Sequence, residues 1–188
     1  MGNSVNRLVF LGRDGVLNVD RSDSVKSPDE LVLLPGAAAA VARLNAARWT
    51  VVVATNQGLV GRGVISVERL DLIHVRLREL LAREGGRLDE IVVCTDHPER
   101  PSERRMPKPG MLVEMLRKFR VEAADAAMIG DRLDDLGAAR AAGCRRMLVR
   151  TGKGAATQAA GIGHALLPVS IHADAAAAVE VLLGGGRA

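Results

Sequence analysis

Five short apolar segments, each separated from the next by a helix-length stretch, most constrain how this chain can fold. They are residues 8–11, 50–54, 91–94, 126–129 and 147–149. Apolar runs without polar alternation are typical of strands buried on both faces, and such strands occur in parallel sheets built from βαβ units. The pattern therefore predicts an α/β fold with a doubly wound, Rossmann-like parallel sheet.

The stretches between these segments carry helix signals. Ser66 is a candidate N-cap, and Leu70 and Ile73 lie on one face of the helix that follows it. The predicted helices are residues 36–47, 66–84, 111–119, 133–142 and 174–183. Residues 165–167 are predicted to form a sixth strand and residues 184–188 a frayed tail. A chain of 188 residues is expected to form one domain, residues 1–188, with a core over about 7–183.

The composition excludes one class of partner. Phe10, Trp49 and Phe119 are the only aromatic residues, too few for the stacking surfaces that bind single-stranded nucleic acid. The net charge of +4 is concentrated in residues 97–120, which hold seven Lys or Arg and three Glu. Because the positive charge is local, the chain does not resemble a general polyanion binder. We therefore expect no nucleic-acid partner.

The chain also lacks the signals of membrane and secreted proteins. No apolar run approaches the roughly 18 residues of a membrane span, and residues 1–6 are polar, unlike a signal peptide. Cys94 and Cys144 indicate reduced thiols, with a disulfide between them as the alternative. We expect a cytoplasmic protein with no membrane partner.

Polar clusters follow three of the predicted strands. They are Arg13-Asp14-Gly15, Thr55-Asn56-Gln57 and residues 130–135, which include Asp131, Arg132 and Asp135. Parallel α/β sheets bind ligands at the carboxyl ends of their strands, where carboxylates suit Mg²⁺ and backbone N–H groups suit phosphate. The alternative is that Asp14 and Asp131 only cap turns. Three clusters at three strand ends favour a phosphate–metal site.

The same clusters resemble the motifs of the haloacid dehalogenase (HAD) superfamily of phosphatases. Residues 10–18, F-L-G-R-D-G-V-L-N, are similar to the first motif, F-L-D-R-D-G-V-hydrophobic-N. Thr55-Asn56-Gln57 resembles the second motif and residues 130–135 the fourth. Residues 25–30 and 149–153 are similar in sequence to the heptose 1,7-bisphosphate 7-phosphatase branch, which itself resembles histidinol-phosphate phosphatases. The resemblance spans roughly residues 7–155.

This resemblance implies a HAD-type core without a large cap domain, a Mg²⁺ cofactor and a phosphate-ester substrate. In the family, an Asp at the end of the first strand attacks phosphorus, and an Asp two residues later is the general acid and base. A Lys neutralises the phosphoryl charge. Asp14 matches the acid–base position, and Asp14, Asp131 and Asp135 match the region that holds Mg²⁺.

Two catalytic positions depart from the family pattern. The nucleophile position is Gly12, which has no side chain to attack phosphorus and no carboxylate for Mg²⁺. Alignment on residues 107–111 places Met106 at the lysine position and Arg105 at the arginine before it. Lys108 lies two residues further on, and its flexible side chain is a candidate to reach back toward the phosphate.

The branch usually carries a structural zinc loop, C-x-H followed by C-x-C. Here Cys94 and Asp96 occupy the first pair of positions, and Ser102 and Arg104 the second. One thiolate cannot supply a four-coordinate zinc site. We therefore predict no zinc.

These departures predict a pseudophosphatase. Losing a covalent nucleophile costs on the order of 10⁶-fold in rate, and losing a preorganised charge donor costs about another 10²–10³-fold. The expected ligand is phosphate or a small sugar phosphate, such as a heptose bisphosphate, or else a protein partner. Mg²⁺ binding is expected to be weakened. The candidate phosphate-binding residues are Arg13, Thr55, Asn56, Gln57, Arg105, Lys108 and Arg132.

Two alternatives stay open. In the first, the protein is an active Mg²⁺-dependent sugar-phosphate phosphatase in which Asp14 or Asp20 activates water directly, without an aspartyl-phosphate. In the second, Gly12 was engineered to trap a complex. The further changes at Met106 and in the zinc loop argue for natural divergence, since engineering normally alters one residue.

Overall fold

A six-stranded parallel sheet forms the centre of the protein in a computed structural model that describes residues 6–184. The strand order across the sheet is β3-β2-β1-β4-β5-β6, with every neighbouring pair parallel. The strands are β1 (Leu8–Leu11), β2 (Thr50–Asn56), β3 (Glu90–Cys94), β4 (Ala126–Gly130), β5 (Arg145–Val149) and β6 (Ser170–His172).

Helices cover both faces of this sheet. They are α1 (Ala37–Ala46), α2 (Gly58–Gly61), α3 (Val67–Ala82), α4 (Gly110–Phe119), α5 (Leu133–Ala142), α6 (Gly154–Ala160) and α7 (Ala175–Leu183). Short 3₁₀ helices lie at Pro28–Glu30, Ala123–Asp125 and His164–Leu166. The prediction of a doubly wound α/β fold is confirmed.

Strand β1 separates two apolar cores because its side chains alternate between the two faces of the sheet. Val9 and Leu11 point into the core formed with α1, α3 and α7. Leu8 and Phe10 point into the core formed with α4 and α5. All four side chains are buried, which explains why the strand is apolar throughout instead of alternating with polar residues.

The position of β1 determines where the polar clusters meet. It pairs with β2 on one side, where Leu11 lies opposite Val53, and with β4 on the other, where Leu11 lies opposite Ile129. The chain segments that follow β1, β2 and β4 therefore leave the sheet side by side at its carboxyl edge.

Near the C-terminus, one prediction is wrong and one helix was not predicted. The predicted strand at residues 165–167 is wrong, since this segment belongs to a 3₁₀ turn and the sixth strand is Ser170–His172. The carbonyl groups of Ala165 and Leu166 accept hydrogen bonds from Arg140 and Arg146 at 3.2 and 2.8 Å, so they are not available to a sheet. Helix α6 was not predicted, because its sequence G-A-A-T-Q-A-A has little apolar periodicity.

Residues 1–5 and 185–188, which include the polar start and most of the predicted tail, lie outside the described residues. Within residues 6–184, no helix is long and apolar enough to span a bilayer. Cys94 and Cys144 are both buried and present free thiols.

Candidate functional site

The polar clusters after β1, β2 and β4 line one cavity of about 240 Å³ at the carboxyl edge of the sheet. The cavity also contacts the loop between β3 and α4, residues 95–109, which we call the 95–109 loop. The predicted site residues that line it are Gly12, Arg13, Asp14, Thr55, Asn56, Gln57, Arg105, Met106, Asp131, Arg132 and Asp135. The structure thus brings together every predicted site residue except Lys108.

Asp14 lies at the centre of a hydrogen-bond network. Its Oδ1 accepts from Asn18 Nδ2 at 2.9 Å, and its Oδ2 accepts from Gln57 Nε2 at 2.9 Å. Arg13 donates to both oxygens, at 3.1 and 3.0 Å. Burial by itself would raise the pKa of Asp14, but the Arg13 charge and these hydrogen bonds hold that pKa below its usual value. Asp14 is therefore held as a carboxylate.

The Arg13 side chain is fully buried and connects Asp14 to helix α3. Its second terminal nitrogen lies 3.3 Å from His74 Nε2. Burial and the Arg13 charge lower the pKa of His74 to about 4, so the imidazole is neutral and accepts the hydrogen bond. Sequence reasoning missed His74, although it lies one residue after Ile73 on the buried face of α3.

Two buried carboxylates lie at the end of β4. Asp135 Oδ2 accepts hydrogen bonds from the backbone N–H groups of Asp131 and Arg132, at 3.0 and 3.1 Å. Burial and the neighbouring Asp131 charge raise the pKa of Asp135 to about 7. Burial likewise raises the pKa of Asp131 to about 6, although its Oδ2 accepts from the backbone N–H of Lys153 at 2.8 Å.

These carboxylates are the candidate ligands for Mg²⁺. Carboxylate oxygens are the protein ligands that Mg²⁺ prefers, and a hard cation would stabilise two buried carboxylates that repel each other. Asp14 is committed to its own nitrogen donors, and no group of three or more metal-ligating side chains suited to a metal ion is found within residues 6–184. The donors at Asp131 and Asp135 therefore fit Mg²⁺ in chemistry, with fewer carboxylates than predicted.

Position 12 contributes only backbone to the cavity. The Gly12 N–H donates to the Ile129 carbonyl at 3.0 Å, which continues the ladder between β1 and β4. A Cβ atom at this position would lie 2.8 Å from Val16 Cγ2, so a larger residue requires a small movement of Val16.

Met106 lines the cavity while most of its side chain is buried. Only 3% of the residue is exposed, and it belongs to the apolar core that contains Phe10 and Met128. The site thus has a thioether where the family pattern has an ammonium group.

The side chains of Thr55, Asn56 and Gln57, at and directly after the end of β2, have different hydrogen-bond partners. Thr55 Oγ1 accepts from Gln57 Nε2 at 2.9 Å, and the same nitrogen reaches Asp14. Asn56 instead forms two hydrogen bonds with the backbone of Met106. Gln57 therefore connects the ends of β1 and β2, whereas Asn56 connects β2 to the 95–109 loop.

The 95–109 loop directs one cation toward the cavity and another away from it. Arg105 lines the cavity and donates to the Asp96 carbonyl at 3.2 Å. Lys108, a candidate to reach the phosphate region, does not line the cavity, and its Nζ lies 2.9 Å from Glu103 Oε1 in an exposed ion pair. Glu103 lies only five residues before Lys108, so it is a nearer partner for the Lys108 ammonium group than the strand ends are.

Hydrogen bonds connect the residues at three of the four zinc-loop positions. Asp96 Oδ2 accepts from the Ser102 N–H at 2.7 Å, and the Arg104 N–H donates to Ser102 Oγ at 3.1 Å. The Arg104 guanidinium pairs with Glu114 and donates to the Val93 carbonyl. These contacts cross-link the loop and attach it to β3 and α4.

A further acidic residue lies at the cavity edge between two cations. The carboxylate of Asp20 is nearly buried and lies 3.4 Å from the Arg132 guanidinium and 3.6 Å from Lys153 Nζ. Lys153 was not among the predicted site residues. Its place in the resemblance, within residues 149–153, was the signal that could have identified it.

Comparison with known proteins finds relatives that agree with one another in family. The HAD-hydrolase-like family model matches residues 103–178. The D-glycero-beta-D-manno-heptose-1,7-bisphosphate 7-phosphatase of Pseudomonas aeruginosa is 44% identical over 150 residues, which cover 80% of this chain and 84% of that protein. The enzyme of the same name from Bordetella bronchiseptica is 44% identical over 155 residues, or 82% and 87% of the two chains.

Solved structures agree with these sequence matches. The D,D-heptose 1,7-bisphosphate phosphatase of B. bronchiseptica, complexed with magnesium and phosphate, superposes with a TM-score of 0.89 at 42% identity and covers 95% of this chain and 98% of its own. The corresponding enzyme from Burkholderia thailandensis has a TM-score of 0.74 at 37% identity, with coverages of 95% and 99%.

Proposed function

Because this chain belongs to the heptose 1,7-bisphosphate 7-phosphatase branch of the HAD superfamily, we propose that it is a pseudophosphatase. In this proposal it binds phosphate or a small sugar phosphate, such as a heptose bisphosphate, without efficient turnover. The observation that carries the proposal is Gly12, which ends the central strand at the cavity without a nucleophilic side chain.

The place of Gly12 in the fold strengthens this argument. Its backbone continues the β1–β4 pairing, so the strand end that delivers the family nucleophile is intact and lacks only the carboxylate. Loss of the nucleophile from a set of groups that act as a unit costs on the order of 10⁶-fold in rate.

Met106 supports the same conclusion. Its side chain packs in an apolar core where a phosphatase of this branch has a cation, and Lys108 is paired with Glu103 outside the cavity. Loss of one preorganised charge donor lowers the rate by about 10²–10³-fold. The two losses act on the same phosphoryl group, so their effects need not multiply.

Groups suited to bind an anion remain. The Thr55 hydroxyl and the guanidinium groups of Arg105 and Arg132 line the cavity. Asp131 and Asp135 would hold Mg²⁺, which when bound would neutralise part of the phosphate charge. The basic side chains recognise phosphate through charge-assisted hydrogen bonds.

The alternative of direct water attack has less support. Both Asp14 oxygens already accept hydrogen bonds from Arg13, and Asn18 and Gln57 donate to them as well. Asp14 is therefore not free to take a proton from water in this arrangement, so direct water attack would depend on Asp20. Asp20 lies between Arg132 and Lys153, and both cations approach its Oδ2.

Two measurements on the purified protein test the proposal. Calorimetric titration with inorganic phosphate and with heptose 1,7-bisphosphate, each with and without Mg²⁺, is expected to show binding. Phosphate release from heptose 1,7-bisphosphate is expected to lie at least about 10⁴-fold below that of the B. bronchiseptica relative assayed in parallel. Release within about 100-fold of that relative would favour direct water attack, and absence of binding would leave a protein partner as the remaining interpretation.

A further inference from the structure

Asn56 is the only one of the three residues Thr55-Asn56-Gln57 whose side chain is hydrogen-bonded to the 95–109 loop. Its Nδ2 donates to the Met106 carbonyl at 2.9 Å, and its Oδ1 accepts from the Met106 N–H at 3.2 Å. We infer that Asn56 is a positioning residue that holds the 95–109 loop so that Arg105 faces the cavity, and that it is not itself a phosphate ligand. This inference rests on the proposed phosphate site.

The side-chain amide pairs with Met106 as another peptide group would. One amide N–H and one amide oxygen meet a complementary carbonyl and N–H, which satisfies both backbone groups of a residue that lies outside any helix or strand. Because Asn56 is the last residue of β2, this pair joins the loop to the rigid centre of the sheet.

Other backbone contacts fix the loop at its two ends, and the Met106 side chain packs into the apolar core. Near its start, a side chain at Gly61 of α2 would collide with the backbone of Asp96 and His97. Near its end, a side chain at Gly110 would collide with the Glu103 carbonyl. The backbone of the 95–109 loop therefore packs closely near both of its ends. Between these ends, Asn56 supplies the polar connection at the cavity.

Arg105 depends on this connection because it directly precedes Met106. It is the cation that the 95–109 loop contributes to the cavity lining, since Lys108 points away. Its guanidinium also donates to the Asp96 carbonyl within the same loop, so the loop backbone and the Arg105 side chain move together. Release of Met106 from Asn56 would shift Arg105 away from a bound anion.

The chain contains a matched control for the Asn56 pair. Asn45 makes the same two bonds with the backbone of Arg87, at 3.0 and 2.7 Å, on a part of the protein that does not line the cavity. Asn56→Ala and Asn45→Ala therefore each remove one pair of hydrogen bonds between a side-chain amide and a backbone residue. Asn56→Ser, whose side chain is too short to span both bonds, serves as a milder second variant if Asn56→Ala is unstable.

The first readout is amide hydrogen exchange by NMR, which needs no ligand. We expect Asn56→Ala to accelerate exchange of the Met106 N–H by about tenfold or more, and Asn45→Ala to accelerate only that of Arg87. Unchanged exchange at Met106 in both Asn56 variants would overturn the inference, whatever the protein binds. If the unaltered protein shows no affinity for inorganic phosphate, the proposed function fails and the phosphate-site role inferred for Asn56 fails with it.

The second readout is calorimetric affinity for inorganic phosphate in a double-mutant cycle with Arg105→Ala. Asn56→Ala is expected to weaken binding about tenfold, and Asn45→Ala less than twofold. In the Arg105→Ala background, Asn56→Ala should cost less than about twofold more, because its effect acts through Arg105. Losses that multiply in the double variant would show that Asn56 binds phosphate directly and would overturn the inference.

Discussion

The guanidinium of Arg13 donates to both carboxylate oxygens of its sequence neighbour Asp14, at 3.1 and 3.0 Å, within the buried end of the central strand. The pair joins the acid–base position of the family pattern to a fully buried cation. Because the ionised form of Asp14 is stabilised, a role as general acid would require this pair to open.

Removal of Arg13 should destabilise the fold. Arg13→Met leaves the Asp14 carboxylate without its buried partner, which we expect to lower the free energy of unfolding by about 3–5 kcal/mol. Urea denaturation measures this change. Arg21→Met is the control and should have a much smaller effect, because Arg21 makes similar contacts with Asp23 at an exposed site where solvent screens the charges. Equal effects of the two substitutions would contradict a stabilising role for the buried pair.

Introducing the two groups that the family pattern has at positions 12 and 106 should raise phosphatase activity. Gly12→Asp supplies the nucleophile and Met106→Lys the cation, so the double variant should release phosphate from heptose 1,7-bisphosphate at least about 10³-fold faster than the unaltered chain. Gly12→Asp alone should recover less. Its Cβ approaches Val16 Cγ2, and Val16→Ala in the same background should then increase the rate further.

The control for this restoration is Asp14→Asn in the restored background. It keeps the size of the side chain and removes the acid–base group, so phosphate release should return to the background level. A restored chain that remained inactive despite binding phosphate would show that further residues of the site have diverged.

The amino-acid sequence predicts the centre of this molecule well and the partners of its side chains poorly. Continuous apolar strands and helix-length spacers leave few arrangements besides a parallel sheet, so Asp14, Thr55 and Asp131 could be placed at one edge. By contrast, the contact between Arg13 and His74 joins residues 61 positions apart. It depends on how α3 is rotated against the sheet, which periodicity does not specify.

The partner of Lys108 could not be predicted for a similar reason. Sequence spacing shows that a flexible side chain is near the lysine position, but not which competing charge lies closer in space. Glu103, on the same loop, forms an ion pair with Lys108. Likewise, the short edge strand Ser170–His172 is only half-buried, so it lacks the apolar run that identified the five inner strands.

His74 should make stability depend on pH. Its pKa is about 4 in the folded protein, because of burial and the Arg13 charge, and about 6.5 in the unfolded chain. The unfolded chain binds more protons between these values, so this residue lowers stability by up to about 3 kcal/mol as pH falls from 7 to 4. The raised pKa values of Asp131 and Asp135 act in the opposite direction.

Comparison with His74→Gln isolates this contribution, because the carboxylates are common to both proteins. Glutamine keeps a hydrogen-bond acceptor for Arg13 and does not titrate. The stability difference between the unaltered chain and His74→Gln, from urea denaturation at pH 7 and at pH 4, should shift in favour of the variant at the lower pH. A difference that stayed constant across this range would mean that His74 titrates normally.

The 95–109 loop should be stable without zinc. Asp96 accepts the Ser102 N–H, and Arg104 attaches the loop to Glu114 and Val93, so chelation by EDTA should leave the melting temperature unchanged. Asp96→Ala removes the acceptor of the Ser102 N–H and should lower the melting temperature slightly. Asp29→Ala, at a 3₁₀ helix away from this loop, provides a surface control. A fall of several degrees in EDTA that is reversed by added Zn²⁺ would mean that the loop binds zinc despite its single cysteine.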